Sequence, residues 1–592
     1  MQNKFAGLIR KYKISLKKYT TIFSAVGYIK LLLIAILGIS LYLTFVKDMS
    51  FNLVNVIAFA LLIFLWIYHI KLHEKINYLN GLITINNQHL SRISGKWTDF
   101  EDIGAEFIDS EHAYASDLDI VGNKSLFQFL NTTKTWHGRQ AFANDLLHPA
   151  YTNNELKERQ EAIFELSKDI EFSSRMIYYL SKIGADNSTP KLINELKNKN
   201  IIVKHKTLKI VLTYLPLVTF IFITGMFIFH LKSLYLTGAA LVLLQAIIWI
   251  AGITKTQQYL GIIAHLPYKL SSYSTVIEIL KNKEFTSEKL IQIQSQLSTS
   301  NLSAAQAIKD LVKISDRISA RNNAIINFIL NVLFLWDYQC SFMLEEWKAK
   351  YANLSESWFI ALGEFESLMS FSNLPNICAK TCLPIIASTH KTFEANGIGH
   401  PLLSNEIRVY NNFTFGDNIL IISGSNMSGK TTFLRTVGIN LVLAQAGSFV
   451  CAGQLIFSPL KMITSMRIAD DLNEGVSTFY AELKRIKTII EAAKSEPNTF
   501  FLIDEIFRGT NSVDRLSGAK TIISKLNELD TIGIITTHDL ELCDLANQHN
   551  RIKNYSFSEY YEENRICFNY KIRFGKSNTT NAKYLMEMVG IT

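Results

Sequence analysis

Gly424-Ser-Asn-Met-Ser-Gly-Lys-Thr-Thr432 lies between a short apolar run, Asn418-Ile-Leu-Ile-Ile-Ser423, and a stretch from Thr432 to Ala444 that carries Leu434, Val437 and Leu441 on one helical face. The nine residues complete the pattern G-x-x-x-x-G-K-[ST]. The flanks predict a strand–loop–helix unit, and hence an α/β domain in which the helix N-terminus faces an anion. In such a loop the glycines allow a tight turn, so that the backbone N–H groups of Gly424, Ser425, Asn426, Met427, Ser428 and Gly429 surround phosphate. Lys430 is then placed to reach the β and γ phosphates. The Thr431 hydroxyl is placed to hold Mg²⁺, and Thr432 closes the loop onto the helix. ATP and Mg²⁺ are the expected ligands.

Two further apolar runs end in chemically useful groups. Thr499-Phe-Phe-Leu-Ile-Asp504-Glu505 reads as a buried strand delivering two carboxylates. Asp504 suits Mg²⁺, and Glu505 suits polarisation of an attacking water. Thr531-Ile-Gly-Ile-Ile-Thr-Thr537 is a second buried strand, followed by His538, which at a strand end can sense a γ-phosphate or orient water. Ser477 and Thr478 begin an amphipathic helix with Phe479, Leu483, Ile486 and Ile490 on one face. They suit either helix capping or a contribution to a second subunit's nucleotide site.

The 592 residues exceed what one core supports, and the mean hydropathy of +0.14 directs attention to membrane segments. Two pairs of apolar segments stand out: Leu31–Val46 with Leu53–Tyr68, and Ile210–Phe229 with Ser233–Ile253. The second pair holds no charged residue, and its members approach the ~20 residues that cross a bilayer. Short connections, Lys47–Asn52 and His230–Lys232, make each pair a hairpin that returns the chain to its starting side. Lys4, Arg10, Lys11, Lys13, Lys17 and Lys18 precede the first pair, and Lys71, Lys204, Lys206, Lys209 and Lys255 flank the other inner ends. The positive-inside rule places those sides, with the N-terminus and the nucleotide domain, in the cytoplasm, and the protein in the inner membrane as a multi-pass chain. No small-residue cleavage site marks the first segment as a removable signal. The net charge of +9 follows in part from these lysines, which suit anionic lipid, and is weak support for nucleic acid. The six cysteines are scattered; Cys378 and Cys382 form a lone pair without zinc spacing, as in a reduced chain with buried thiols.

The expected organisation is a basic cytosolic tail (1–25), a transmembrane hairpin (26–71), a helical region (72–208), a second transmembrane hairpin (209–254), a further helical region (255–372) and an α/β nucleotide domain (373–592). Ile308, Leu311, Ile314 and Ile318 show the helical period. Leu383–Ile386 and Ile407–Tyr410 read as the first strands of the last domain.

In order and content these residues resemble the ATPase domain of the MutS family of DNA mismatch-repair proteins. The resemblance rests on ISGSNMSGKTTFLR (422–435), ADDLNEGVSTFYAEL (469–483), LIDEIFRGTNSVD (502–514) and ITTHDLEL (535–542), supported by Gly399-His400-Pro401 and Ala446–Val450. Upstream, Gly122–Asn131, Thr133–Arg139 and Leu146–Pro149 resemble the start of the MutS helical core, with residues 256–371 as the rest of the core and its lever. The resemblance implies a P-loop ATPase domain preceded by an all-α core. It implies that 424–432 hold phosphates, that Thr431 and Asp504 serve Mg²⁺, that Glu505 is the catalytic carboxylate and that His538 senses the γ-phosphate. It also implies a homodimer in which Ser477 and Thr478 act across the interface, and DNA as partner. The chain departs from the family in carrying a basic tail and hairpin where mismatch readers have a wedge domain, which puts mismatch reading in doubt.

Two other classes compete with a DNA-coupled ATPase. An ATP-controlled membrane scaffold would need no nucleic acid. An ABC-type transporter is disfavoured, because Leu516-Ser-Gly-Ala follows the Asp-Glu strand instead of preceding it and the spans lack ionisable groups for a polar path.

Overall fold

The computed structural model describes residues 2–47, 51–186, 188–198, 201–229, 232–264, 267–299, 302–389, 391–425, 427–467, 478–507, 512–562 and 565–577. The chain divides into two compact units. One comprises 1–131, 143–178 and 371–592; the other comprises 132–142 and 179–370.

The first unit opens with two long helices, α1 (Gln2–Val46) and α2 (Asn52–Ile93). The tail expected as a separate segment at 1–25 is instead the first half of α1. Its apolar residues have a surface to cover: Phe5, Ile9 and Tyr12 are buried, and Phe5 stacks on His89 of α2 at 4.8 Å. Past that base the hairpin is apolar and exposed, with Leu32, Ile36, Phe59 and Phe64 outward.

The second unit is helical apart from a two-residue antiparallel pair, Ser298–Thr299 with Leu302–Ser303. It carries α3 (Lys206–Phe229), α4 (Lys232–Ala264), α5 (Ala324–Phe334) and α6 (Trp336–Phe371). The periodic residues Ile308, Leu311, Ile314 and Ile318 are the buried stripe of a helix at Ala304–Ser319. Among the described residues four helices (α1, α2, α3 and α4) are long and apolar enough to cross a membrane.

Residues 371–592 contain two sheets. Their strands are β1 (Ile385–Ile386), β2 (Phe393–Ile398), β3 (Asn411–Phe415), β4 (Ile419–Ser423), β5 (Gln454–Phe457), β6 (Lys461–Ser465), β7 (Thr499–Asp504), β8 (Ile532–Thr537), β9 (Ile552–Glu562) and β10 (Arg565–Phe574). The larger sheet has the order β10-β9-β4-β8-β7-β6, parallel from β9 to β6 with β10 antiparallel at the edge. Its central strands β4, β7 and β8 are buried at every residue, as parallel strands covered on both faces must be. The smaller sheet, β1-β5-β2-β3, is tied to the larger by an aromatic stack: Phe415 lies 5.0 Å from both Phe393 and Phe500.

Two expectations are corrected. Ile407–Tyr410 is a loop, and the strand begins at Asn411. Arg408 holds that loop by donating through Nε to His400 O (2.8 Å) and through Nη2 to Pro401 O (3.0 Å), so side-chain bonds replace a ladder. The helical region expected at 72–208 is also divided: 72–131 and 143–178 belong to the compact unit of the α/β domain. Long-range hydrogen bonds cause this. Buried Asp117 accepts from Thr464 Oγ1 (2.6 Å), Met466 N (3.1 Å) and Arg467 N (2.8 Å). Buried Arg159 donates to Ala446 O (2.9 Å) and pairs with Asp145 at 2.6 Å.

Candidate nucleotide site

Three adjacent strands, β4, β8 and β7, bring their C-terminal ends together, which is where open α/β sheets bind ligands. The loop after β4 leads into α7 (Lys430–Gln445), whose N-cap is Gly429 with φ 101°. A side chain at 429 would be strained there, and its Cβ would meet the Tyr570 ring at 3.0 Å. At Gly424 a Cβ would lie 2.8 Å from Phe557 O. Both glycines are therefore required by the turn and by the strands beside it. Met427 also has positive φ (67°) and is exposed. Asn426 lies outside the described residues.

Lys430 is buried and curls over the loop, donating to Gly424 O (2.8 Å) and Ser425 O (3.0 Å). Its Nζ is 3.4 Å from His538 Nε2. Thr431 Oγ1 donates to Asp504 Oδ2 at 2.8 Å, and Thr536 Oγ1 donates to Asp504 Oδ1 at 2.6 Å. Glu505 sits one residue on with φ 53°, its N–H donating to Thr536 Oγ1 at 3.1 Å, and its Oε1 lies 2.5 Å from His538 Nε2. The structure thus brings Lys430, Thr431, Asp504, Glu505 and His538 into one cluster. Ser477 lies outside the described residues; Thr478 begins α8 (Thr478–Ser495).

Hydroxyl and carboxylate oxygens are the hard donors Mg²⁺ prefers, and Thr431 with Asp504 supplies one of each within hydrogen-bond distance. The buried Ser428 Oγ has no hydrogen-bond partner among the described residues, an arrangement that suits a polar ligand at the loop.

Beside the loop is a cavity of about 590 Å³, whose apolar wall includes Ile407, Val409, Phe433, Phe557 and Tyr570. His400 also lines it; burial, with Arg435 and Arg408 near, lowers its pKa to about 3 and keeps the ring neutral. Phe433 belongs to α7, Ile407 and Val409 to a loop, and Phe557 and Tyr570 to the β9–β10 hairpin; the sequence did not mark them as lining a common cavity. Ser425 Oγ donates to buried Glu559 Oε2 (2.9 Å), which ties the loop to β9.

Residues 420–591 match the family model for MutS domain V. Across these residues the chain is similar to the MutS family. The DNA mismatch repair protein MutS of Desulfosudis oleivorans is 36% identical over 197 residues, covering 32% of this chain and 22% of the relative. That of Chloroflexus aurantiacus is 28% identical over 221 residues, covering 37% of this chain and again 22% of the relative. The chain therefore spans about a fifth of the length of these curated relatives. The domain V match takes in the loop at 424–432, β7 with Asp504 at its end and Glu505 after it, and His538. The segment similar to MutS domain V is thus the part of this chain that holds the candidate site. The thiols Cys378 and Cys451 lie buried nearby, and all six cysteines are free. Among the described residues no three His, Cys, Asp or Glu side chains are grouped to hold a metal.

Proposed function

We propose that this chain is a membrane-anchored MutS-type ATPase that binds and hydrolyses Mg²⁺-ATP in a homodimer and couples the cycle to DNA. The carrying observation is the single cluster in which Lys430, Asp504, Glu505 and His538 meet at the phosphate loop. Loop N–H groups of residues 424–432 and Lys430 receive the β and γ phosphates, and the apolar wall at Phe433, Phe557 and Tyr570 takes the adenine. Thr431 and Asp504 would hold Mg²⁺, which neutralises charge on the phosphate oxygens. Glu505 accepts the proton of the attacking water. His538 bridges Glu505 and Lys430, so it relates the water-activating group to the group on the γ-phosphate.

Departure of the γ-phosphate frees Lys430 and His538, and this local change is the kind a two-state domain closure can use. Ser477, and Thr478 at the start of α8, would complete the partner's site. The four long apolar helices would hold the protein in the inner membrane as two hairpins, with the lysine-flanked ends and domain V in the cytoplasm.

The test uses the full chain in lipid nanodiscs. ATP hydrolysis and binding to homoduplex, mismatched and branched DNA are measured across a salt series. Expected are ATP turnover and a DNA affinity that falls steeply with salt. Turnover with no DNA retention at low salt would replace DNA by a scaffold role. No turnover with or without DNA, unchanged by Glu505→Gln, would overturn the ATPase.

A further inference from the structure

In the second unit α5 is eleven residues of nearly unbroken hydrocarbon, Ala324-Ile-Ile-Asn-Phe-Ile-Leu-Asn-Val-Leu-Phe334, and it packs on α3 and α4. At about 16 Å it is too short to span ~30 Å of hydrocarbon. Its outward face is nonetheless as apolar as the hairpin beside it: Ile325 is 71% exposed, Phe328 56% and Ile329 47%.

The path of the chain fixes its depth. The preceding helix, Ala304–Ser319, ends against the lysine-flanked end of α4, where Ser315 Oγ donates to Ile263 O (2.7 Å) and Ser319 Oγ to Ala264 O (3.3 Å). Along α5 the chain then moves toward the middle of α4. Phe328 meets Trp249 with ring centroids 6.0 Å apart. Beyond it the Gln245 carboxamide, assigned the orientation that satisfies both its nitrogen and its oxygen, donates to Val332 O and Leu333 O at 3.2 and 3.1 Å. Gln245 precedes Lys255 by ten residues of helix, or about 15 Å, half the hydrocarbon thickness. At Leu335 (φ 48°) the chain turns through 79°. It returns along α6, where Gln339 donates to Leu212 O (3.0 Å) and Glu345 pairs with Lys209 at 3.2 Å, again at the lysine-flanked end.

Polar groups at both ends of α5 are satisfied without water. Asn323 Oδ1 accepts from Ile325 N (3.0 Å) and Ile326 N (3.2 Å) at the start. At the deep end Gln245, fully buried, serves the two carbonyls while accepting from Thr219. Asn331 Oδ1 accepts from Asp337 N at the bend (2.9 Å). An Asn cap serves helix ends in water as well, but the carbonyls at the deep end need protein partners because an unpaired carbonyl in hydrocarbon is costly.

We propose that α5 and the turn at Leu335 form a re-entrant loop that enters the bilayer beside α3 and α4 from the lysine-flanked side, with lipid acyl chains covering its exposed face. This rests on the reading of α3 and α4 as a membrane hairpin.

The test places single cysteines, in the full chain with its six native cysteines replaced, at Phe328, Ile325, Leu243 (on α4) and Lys313 (solvent-exposed). Each carries an environment-sensitive fluorophore in liposomes containing lipids with nitroxides on the acyl chain. Ile325→Cys serves if Phe328→Cys fails to fold. Expected is quenching at Phe328 or Ile325 comparable with Leu243 and several times that at Lys313. Quenching at Leu243 with water-like emission on α5 would overturn the loop and spare the hairpin. Dry emission on α5 without lipid quenching would mean that protein covers it, and would also overturn the proposal. Absence of quenching at Leu243 would remove the hairpin itself. Sidedness completes the test with an impermeant maleimide on Asn322→Cys and Glu346→Cys. Labelling of both from one side is expected, and labelling from opposite sides would make the segment a span.

Discussion

Asp117 is the sharpest point at which to break the bond between the N-terminal segment and domain V. The residue is only 5% exposed, and its carboxylate accepts three bonds from a stretch 347 to 350 residues away: Thr464 Oγ1, Met466 N and Arg467 N. Hydrogen bonds to a charged acceptor contribute about 1.5–3 kcal/mol each, but they share one acceptor and do not add fully. Asp117→Ala leaves two backbone donors and a hydroxyl without the carboxylate at the end of β6. A cost of about 3–5 kcal/mol follows, with Asp117→Asn nearer 1–2 because its amide oxygen still accepts. Arg467 and Arg435 remain paired to Asp119, at 2.5 and 3.1 Å, so the segment should loosen without leaving. Hydrogen exchange of the amides of 461–467, followed by mass spectrometry on the protein in nanodiscs, reads the effect locally. Loss of protection there and in 112–120, with little change in α3 and α4, is expected. Wild-type protection in Asp117→Ala would refute the claim that this segment is part of the domain V unit.

Gly533 on β8 faces the Phe501 ring so closely that an added Cβ would lie 2.4 Å from it. Gly533→Ala should therefore cost about 1–3 kcal/mol by overpacking, seen as a lower midpoint for domain V in thermal unfolding, whereas Gly453→Ala, whose nearest contact is the flexible end of Lys380 with Asn396 O at 3.0 Å behind it, should cost less. His400 has its folded pKa lowered to about 3, so between there and its ordinary 6.5 the unfolded chain binds a proton that the folded one refuses. Stability conferred by the neutral ring is complete above 6.5 and declines as pH falls, by about 2 kcal/mol at pH 5. A His400→Gln variant should show a flatter denaturation profile between pH 6.5 and 5; an unchanged slope would count against the buried neutral ring.

The parts of the fold that were legible in sequence are those whose physics is local. Strands β4, β7 and β8 are continuous apolar runs because both their faces are covered, and each ends in the group it delivers. The loop at 424–432 is legible because the turn and close approaches at Gly424 and Gly429 admit little else. What was not legible depends on distant partners. Nothing around Asp117 announces Thr464, and nothing around Arg159 announces Ala446. The tail at 2–25 looked detached because its charged residues dominate the composition, while Phe5, Ile9 and Tyr12 are spaced to pack on α2. The apolar wall at Ile407, Val409 and Phe557 comes from segments far apart in sequence. α5 fell below the length by which a membrane segment is recognised.

The cluster at the loop is best tested by separating nucleotide binding from turnover in Glu505→Gln. The side chain keeps its size and a hydrogen bond to His538 but can no longer take a proton, and loss of a general base typically slows turnover by about 10²–10⁴. Wild-type and variant are compared for ATP affinity by fluorescent-nucleotide titration and for phosphate release under saturating Mg²⁺-ATP. Unchanged affinity with phosphate release reduced by that factor is expected. Phosphate release at the wild-type rate in Glu505→Gln would contradict the assignment of this cluster as the hydrolytic centre.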